Sequence, residues 1–152
     1  YLNISRNRIN FYKNNKISHD IKVHYEYSDV IMTEFEKRIC TEYKKLPTCN
    51  PDFIYLDGPD QFKVKKKING ITIAHNDMMS MNCDLLKIEY FLTPGTIIVS
   101  DGRTANSIFL KNCFKRKWKL KRDTKNDQIY FLLDEQSLGM HNLKQLNFYK
   151  KK

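Results

Sequence analysis

The chain has 152 residues, a net charge of +10 at pH 7 and an apolar fraction of 41%, which suffices for one domain with a hydrophobic core. No stretch approaches the roughly 20 apolar residues of a membrane-spanning helix, and the sequence opens without a signal-peptide pattern. The four cysteines are scattered without CxxC spacing, which argues against a disulfide framework or structural zinc and favours the cytoplasm.

The first fifty residues are predicted to alternate between strands and helices. Residues 1–5 are predicted to end a strand and residues 6–15 to form a short polar helix. Apolar residues then occupy every second position, the pattern of a strand: these are Ile21, Val23, Tyr25 and Tyr27. Further apolar residues recur every four positions, which predicts a helix capped by Ser28 or Asp29: these are Ile31, Phe35, Ile39 and Tyr43.

Two continuous apolar runs follow, residues 53–56 and 96–99, and each leads into an Asp-Gly pair. Continuous runs are typical of strands that are covered on both faces. Between them we predict a long loop over residues 58–79 and a helix that begins near Ser80 or Asn82 and ends at Pro94-Gly95. A helix from Thr104 and an antiparallel hairpin of residues 118–122 and 128–133 complete the pattern.

This order of elements predicts a single α/β domain over residues 1–152. Alternating strands and helices form a mostly parallel sheet with helices on both faces, here followed by the C-terminal antiparallel hairpin. In such sheets ligands bind beyond the carboxyl ends of the strands. Asp57 and Asp101 end the two apolar runs, so they are the candidate catalytic residues. The alternative for each is that Asp-Gly merely makes a turn.

The phrases around both acids resemble strands of class I S-adenosylmethionine-dependent methyltransferases. Phe53-Ile-Tyr-Leu-Asp57-Gly resembles the family's fourth strand. Leu92-Thr-Pro-Gly-Thr-Ile-Ile-Val-Ser-Asp101-Gly resembles its fifth strand and the L-x-P-G-G-x-[IV]-[IV]-x-D phrase of small-molecule O-methyltransferases. The terminal hairpin resembles the sixth and seventh strands, of which the seventh is antiparallel. The resemblance covers about residues 1–134 and implies a Rossmann-like fold with S-adenosylmethionine as cofactor.

The adenine side of the cofactor site has a partial match. Residues 23–29 resemble the third strand and its acidic loop, so Asp29 is the expected cofactor-binding residue. The family's glycine-rich loop after the first strand, where only glycine lets backbone amides approach the ligand, has no match, because no GxG is present. The ribose-binding acid has no clear match either, with Asn3 nearest to its place. We therefore expect a chain that lacks the first strand-helix unit and binds the cofactor weakly or not at all.

A divalent cation is a second candidate ligand for the two strand-end acids. Carboxylates suit hard cations, and metal-dependent O-methyltransferases carry an acid at each of these strand ends with an adjacent Asn. Gly102 stands at that adjacent position, and Asn106, one helical turn further on, is the expected substitute. The candidate metal ligands are therefore Asp57, Asp101 and Asn106.

Three further residues are candidates for substrate binding. Arg103 is suited to pair with a carboxylate or phosphate, although an ion pair with Asp101 is the alternative. Asp60 is a candidate acid or base above the sheet edge, and a turn is the alternative. His75 lies in a predicted loop of the kind that covers substrates, and a structural role is the alternative.

Three hypotheses for function follow. The first is a methyltransferase-like enzyme that acts on a small glycosyl or anionic substrate, once a cofactor-binding upstream part is supplied. The second is a non-catalytic relative used for binding or assembly. The third is a basic nucleic-acid-binding module, suggested by lysine clusters at residues 63–67, 111–122 and 150–152. Such clusters are more typical of solvated faces, and without a base-reading motif any binding is expected to be non-specific. The sequence does not indicate an oligomeric state.

Overall fold

The computed structural model describes residues 22–150, without the side chains of residues 149 and 150. The elements predicted for residues 1–15, and Ile21, lie outside this range. The described strands are β1 (Val30–Phe35), β2 (Arg38–Tyr43), β3 (Phe53–Leu56), β4 (Ile97–Asp101), β5 (Trp118–Asp123) and β6 (Gln128–Leu133). The described α-helices are α1 (Asp84–Ile88), α2 (Thr104–Cys113) and α3 (Met140–Lys150), and short 3-10 turns lie at Gln61–Lys63 and Glu89–Phe91.

Four strands form one mixed sheet in the order β3-β4-β6-β5. β3 and β4 are parallel, and β6 is antiparallel to both of its neighbours. The predictions that the two apolar runs share a sheet, and that the final strand is antiparallel, are confirmed. The prediction that residues 53–56 lie in the interior of the sheet is wrong for the described residues, because β3 is an edge strand. A mostly parallel sheet is not found in the described part of the chain, because only one of its three strand pairings is parallel.

The core lies on one face of this sheet. Ile98 of β4 and Phe131 of β6 are at most 1% exposed, and they pack with Leu86 of α1 and Leu110 of α2. The opposite face carries large apolar side chains that are between 38% and 57% exposed: Phe53, Tyr55, Ile97 and Leu132. α1 and α2 pack on the core side, whereas Leu146 of α3 lines a pocket with Phe53, Ile97 and Leu132 of the opposite face. The predicted covering of both faces is therefore incomplete within residues 22–150.

The helix predicted over residues 31–43 is wrong, because this segment forms the β1-β2 hairpin. A four-residue spacing returns to the same face of a strand as well as to the same face of a helix, so the spacing does not discriminate. The buried residues include Met32 and Cys40, at 2% and 1% exposed, and they lie outside the predicted apolar stripe. The turn uses Glu36 and Lys37, both with positive φ, where hairpins usually carry Asn-Gly.

The strand predicted from Val23 to Tyr27 is also wrong, because residues 22–29 adopt no regular structure. Alternation supports a strand only where a neighbouring strand pairs with it, and none is assigned beside this segment in the described chain. The segment instead ends against the hairpin, where the Asp29 carbonyl accepts a hydrogen bond from Lys44 N at 2.9 Å. Tyr27 remains 75% exposed.

The predicted helix near residue 82 is present but short. Asn82 Oδ1 accepts a hydrogen bond from Asp84 N at 3.0 Å, which supports the start of α1. After Ile88 the backbone continues as the 3-10 turn Glu89–Phe91, and Pro94-Gly95 leads into β4 as predicted. Gly95 has φ of +94°, a conformation that glycine adopts at little cost.

A buried glutamate joins the 3-10 turn to the start of β5. Glu89 is 2% exposed, and its carboxylate accepts hydrogen bonds from Arg116 N at 2.8 Å and Trp118 Nε1 at 2.9 Å. The indole of Trp118 also stacks on Phe114, with ring centroids 4.8 Å apart. A buried carboxylate is stable only when its oxygens are hydrogen-bonded, and these donors meet that requirement.

No helix of the described chain combines the length and apolar character needed to cross a membrane.

Candidate functional site

The two strand-end aspartates lie side by side. β3 and β4 are in register with Leu56 opposite Ser100, so the next residues, Asp57 and Asp101, are neighbours at the carboxyl edge of the sheet. Parallel strands are about 4.8 Å apart. Proximity of the two acids was expected from the sequence, and the register accounts for it.

A tyrosine that sequence reasoning missed completes this pair. The hydroxyl of Tyr55 donates a hydrogen bond to Asp101 Oδ2. This bond to a carboxylate, together with desolvation and the charges of Asp101 and Asp57, raises the pKa of Tyr55 to about 12. Tyr55 and Asp57 are two positions apart and so lie on one face of β3. The two-residue period of the strand was the signal that could have identified Tyr55.

Arg103 contacts Asp57 rather than Asp101. Its Nη2 donates a hydrogen bond to the Asp57 carbonyl at 3.2 Å and lies 3.7 Å from Asp57 Oδ1. Gly102 directs the chain toward this contact with φ of +58°, and its N–H donates to the Asp127 carbonyl at 3.0 Å. The site therefore contains two carboxylates and one guanidinium that already has a partner.

Asn106 is not part of this site. It is 3% exposed on α2, and its Oδ1 accepts a hydrogen bond from Asn82 N at 2.8 Å. This bond fixes the start of α1 to α2. Within residues 22–150, no group of three or more His, Cys, Asp or Glu side chains is placed to hold a metal ion.

Asp60 and His75 lie in the loop and have local partners. Asp60 Oδ1 accepts a hydrogen bond from Phe62 N at 2.9 Å. This contact stabilises a turn, which was the alternative to a role for Asp60 as an acid or base. The Nδ1 atom of His75 accepts from Asp77 N at 3.2 Å. The His75 carbonyl accepts from Gln61 Nε2 at 2.9 Å, which connects the two loop segments. None of these hydrogen bonds joins either residue to Asp57 or Asp101.

Asp29, the expected adenine-binding residue, forms two ion pairs. Its carboxylate lies 2.8 Å from Lys65 Nζ and 3.2 Å from Lys44 Nζ. These contacts, that of Lys65 first, lower the pKa of Asp29 below its ordinary value. An aspartate held by two lysines does not offer a free acceptor to a ligand, so the described residues do not fit the adenosyl group at this position.

The lysine clusters serve partly structural purposes. Lys65 lies beside β1, where its N–H donates to the Val30 carbonyl at 2.9 Å. In the second cluster, Lys119 Nζ lies 2.8 Å from Asp134 Oδ2, and Trp118 packs inward as predicted. Leu120, which was expected to point inward, is 39% exposed.

A second acid missed from the sequence lies in a groove beside β3. Asp84 is 5% exposed, and its carboxylate accepts hydrogen bonds from Tyr43 N at 3.2 Å and Asn82 Nδ2 at 2.8 Å. Burial raises the pKa of Asp84 to about 6. The groove has a volume of 560 Å³ and extends along β3 as far as Gly58.

Comparison of the chain with protein-family models, curated proteins and solved structures gave no match.

Proposed function

We propose that this chain is a Rossmann-like, methyltransferase-like domain whose site at the ends of β3 and β4 binds a small glycosyl-type substrate through its hydroxyl groups. The observation that carries the proposal is the hydrogen bond from Tyr55 to Asp101 across the parallel strands β3 and β4, whose register with Leu56 opposite Ser100 brings Asp57 to the same edge. This is the edge where ligands of open α/β sheets bind. The resemblance of both strand phrases to the methyltransferase family supports the same interpretation.

The charges favour hydroxyl groups over an anion. The site has two carboxylates and a single arginine, and Arg103 is already bound to Asp57. An anionic substrate would have to displace that contact and approach both acids. Ionised carboxylates only accept hydrogen bonds, so they suit the hydroxyl donors of a sugar.

Within this site the residues have distinct roles. Asp101 accepts a hydrogen bond from a substrate hydroxyl, since the Tyr55 hydroxyl occupies Oδ2 and leaves Oδ1 for the substrate. Tyr55 is protonated at neutral pH, as an ordinary tyrosine is, and the raised pKa extends this to more alkaline pH, so its hydroxyl remains a donor that holds the carboxylate in place. Asp57, fixed by Arg103, accepts a second hydroxyl and orients the ring.

The described residues do not fit S-adenosylmethionine, because Asp29 is bound by lysines and the five glycines form no GxG. No step is therefore assigned to this cofactor, and the proposal concerns only the methyl-acceptor side. The same observations favour a second candidate function, in which the chain is a non-catalytic relative that binds the sugar and transfers no methyl group to it.

The experiment is a binding and turnover measurement on the 152-residue chain. Amide NMR spectra are recorded with methyl glucoside, glucosamine and glucuronate as probes, and transfer from labelled S-adenosylmethionine is assayed with each. We expect the neutral and amino sugars to shift the amide signals of residues 55, 57 and 101, and Asp101→Asn to abolish the shifts. Asp77→Asn, an exposed loop acid, is the matched control.

The two candidate functions differ in turnover: sugar-dependent transfer supports the enzyme, and binding alone supports the non-catalytic relative. Preferential binding of glucuronate, or unchanged sugar binding by Asp101→Asn, would refute the assigned site.

A further inference from the structure

β3 is an edge strand with unpaired backbone groups. It pairs with β4 on one side and has no partner on the other among residues 22–150. Ile97 N donates to the Asp52 carbonyl. In a parallel pair every second residue directs its backbone groups to the same neighbouring strand, so Ile54 and Leu56 also direct their N–H and C=O groups to β4. Phe53 and Tyr55 therefore direct their N–H and C=O groups to the open side. Backbone groups of this kind are normally paired or hydrated.

The edge lacks the features that keep exposed strands from pairing. Protected edges carry lysine, proline or a bulge, whereas β3 reads Phe-Ile-Tyr-Leu and contains no residue with positive φ. Its side chains at Phe53 and Tyr55 are 57% and 51% exposed. An apolar, unprotected edge is suited to accept another strand.

A groove runs along this open edge. Its volume is 560 Å³, within the range of ligand-binding clefts. One wall is β3 itself, and the other is formed by the loop after β2 and by α1, with apolar side chains that include Leu46, Pro47, Leu85 and Ile88. The groove is therefore apolar on the side that faces the unpaired backbone.

The charge of the groove is opposite to that of the whole chain. The protein carries +10, yet the charged residues that line the groove are both acids: Asp57, which is paired with Arg103 outside the groove lining, and Asp84. Asp84 is buried, and its hydrogen-bond donors, Tyr43 N and Asn82 Nδ2, are neutral groups. A buried carboxylate gains most from a cationic partner, so the groove is complementary to a basic side chain.

We propose that the open edge of β3 binds an extended apolar peptide segment of a partner protein, which adds as a fifth strand and places one lysine or arginine side chain against Asp84. The backbone of Phe53 and Tyr55 supplies the hydrogen bonds, the apolar wall covers the alternate side chains, and Asp84 selects for the basic residue. This interaction surface adjoins the sugar site proposed above and shares Tyr55 and Asp57 with it, but it uses the open backbone edge of β3 rather than the carboxylate of Asp101.

The test uses the full chain and three synthetic heptapeptides of alternating valine and threonine, blocked at both ends, whose central residue is lysine, leucine or glutamate. We expect the lysine peptide to bind and to protect the amides of residues 53 and 55 from hydrogen exchange. We expect the leucine peptide to bind about tenfold more weakly, the loss of one charge-assisted contact, and the glutamate peptide more weakly still. Equal affinity for all three peptides would overturn the role of Asp84.

Two substitutions at one position test the backbone contact. Phe53→Pro removes an N–H that points to the open side, so it deletes an edge donor while the pairing with β4 is retained. Phe53→Ala removes the same side chain and keeps the N–H. We expect Phe53→Pro to abolish peptide binding and Phe53→Ala to retain it within a few fold. Far-ultraviolet circular dichroism verifies that both variants fold.

Other occupants of the edge give different results. Equal losses in the two variants would mean that the peptide contacts only the side chain, and would overturn strand addition. A dimer of the unmodified chain that Phe53→Pro dissociates and that the peptides leave intact would assign the edge to a second copy, and would also overturn the proposal.

Discussion

Tyr55 and Asp101 are joined by a hydrogen bond across the parallel pair β3-β4, with the phenol as donor and the carboxylate as acceptor. Asp101 lies at a strand end beside Asp57, and the two negative charges repel each other. The Tyr55 hydroxyl provides a neutral hydrogen-bond donor to one oxygen of Asp101. Arg103 provides the opposite charge on the Asp57 side. The two carboxylates are thus compensated separately, one by a neutral donor and the other by a guanidinium.

The first prediction concerns the ionisation of Tyr55. Because the bond to Asp101 is the largest cause of the raised pKa, Asp101→Asn should lower the pKa of Tyr55 toward its ordinary value of 10. The measurement is a pH titration of ring-labelled tyrosine by carbon NMR, with Tyr55→Phe to assign the signal. An unchanged titration curve in Asp101→Asn would show that the hydrogen bond does not control this phenol.

The second prediction concerns Asp84 and the pH dependence of stability. Burial raises its pKa from 3.8 to about 6, so between these values the folded chain retains a proton that the unfolded chain has released. This carboxyl therefore opposes folding increasingly from about pH 4 to pH 6, by about 3 kcal/mol at most, and the full penalty is present above pH 6.

Asp84→Asn should remove this dependence on pH. The free energy of unfolding of the variant, relative to the unmodified chain, should rise between pH 4 and pH 7 in urea titrations. The substitution also weakens the hydrogen bond that Asn82 Nδ2 donates to residue 84. This loss changes the free energy of unfolding by the same amount at every pH and leaves its pH dependence unaltered. Asp77→Asn, whose carboxyl is exposed, is the control, and parallel pH curves for Asp84→Asn and the unmodified chain would refute the buried-acid interpretation.

The third prediction concerns the buried carboxylate of Glu89. Glu89→Gln replaces one of the two acceptor oxygens by an NH₂ group, which is a donor and would face the N–H groups that now bind the carboxylate. The substitution should therefore lower the free energy of unfolding by about 3 kcal/mol. Trp118 is the only tryptophan and donates to this carboxylate, so its fluorescence should shift in the folded variant. Glu36→Gln, at the exposed ion pair with Arg38, should cost about 1 kcal/mol or less. Equal losses in the two variants would contradict the special role of the buried site.

The fourth prediction concerns nucleic acid. The lysine clusters supply counterion release without a base-reading element, so any binding should be independent of sequence and weaken steeply with salt. Fluorescence anisotropy with labelled single-stranded oligonucleotides of different sequence, at several salt concentrations, measures both properties. A sequence preference that persists at high salt would promote the nucleic-acid hypothesis over the others.

The parts of the fold that the sequence predicts are those with a local signal. The apolar runs before Asp57 and Asp101 are recognisable as strands because short apolar runs are typical of sheet interiors, although Phe53, Tyr55 and Ile97 on the outer face are 40% to 57% exposed. The terminal hairpin is recognisable because a turn-rich segment separates two strand patterns. The β1-β2 hairpin is not predicted for two reasons. Its apolar residues recur every four positions, which fits both a helix and a strand, and its turn residues, Glu36 and Lys37, are unusual at positive φ.

The candidate site was predictable to a similar degree. The adjacency of the two strand-end acids follows from parallel pairing alone, and Tyr55 follows from the two-residue period of β3. Asp84 carries no such signal, because its burial depends on a contact with the backbone of Tyr43 that lies 41 residues away in sequence. Long-range contacts of this kind arise only from the tertiary arrangement.

The position of β6 between β4 and β5 has a consequence for synthesis of the chain. β4 pairs with β3 early, but its second neighbour is residues 128–133, which leave the ribosome after β5. Until β6 is synthesised, the backbone groups of β4 that face away from β3 have no partner from this sheet. β5 also lacks a partner, because it pairs only with β6. The sheet is therefore complete only after residues 128–133 have been synthesised, because β6 joins β4 to β5.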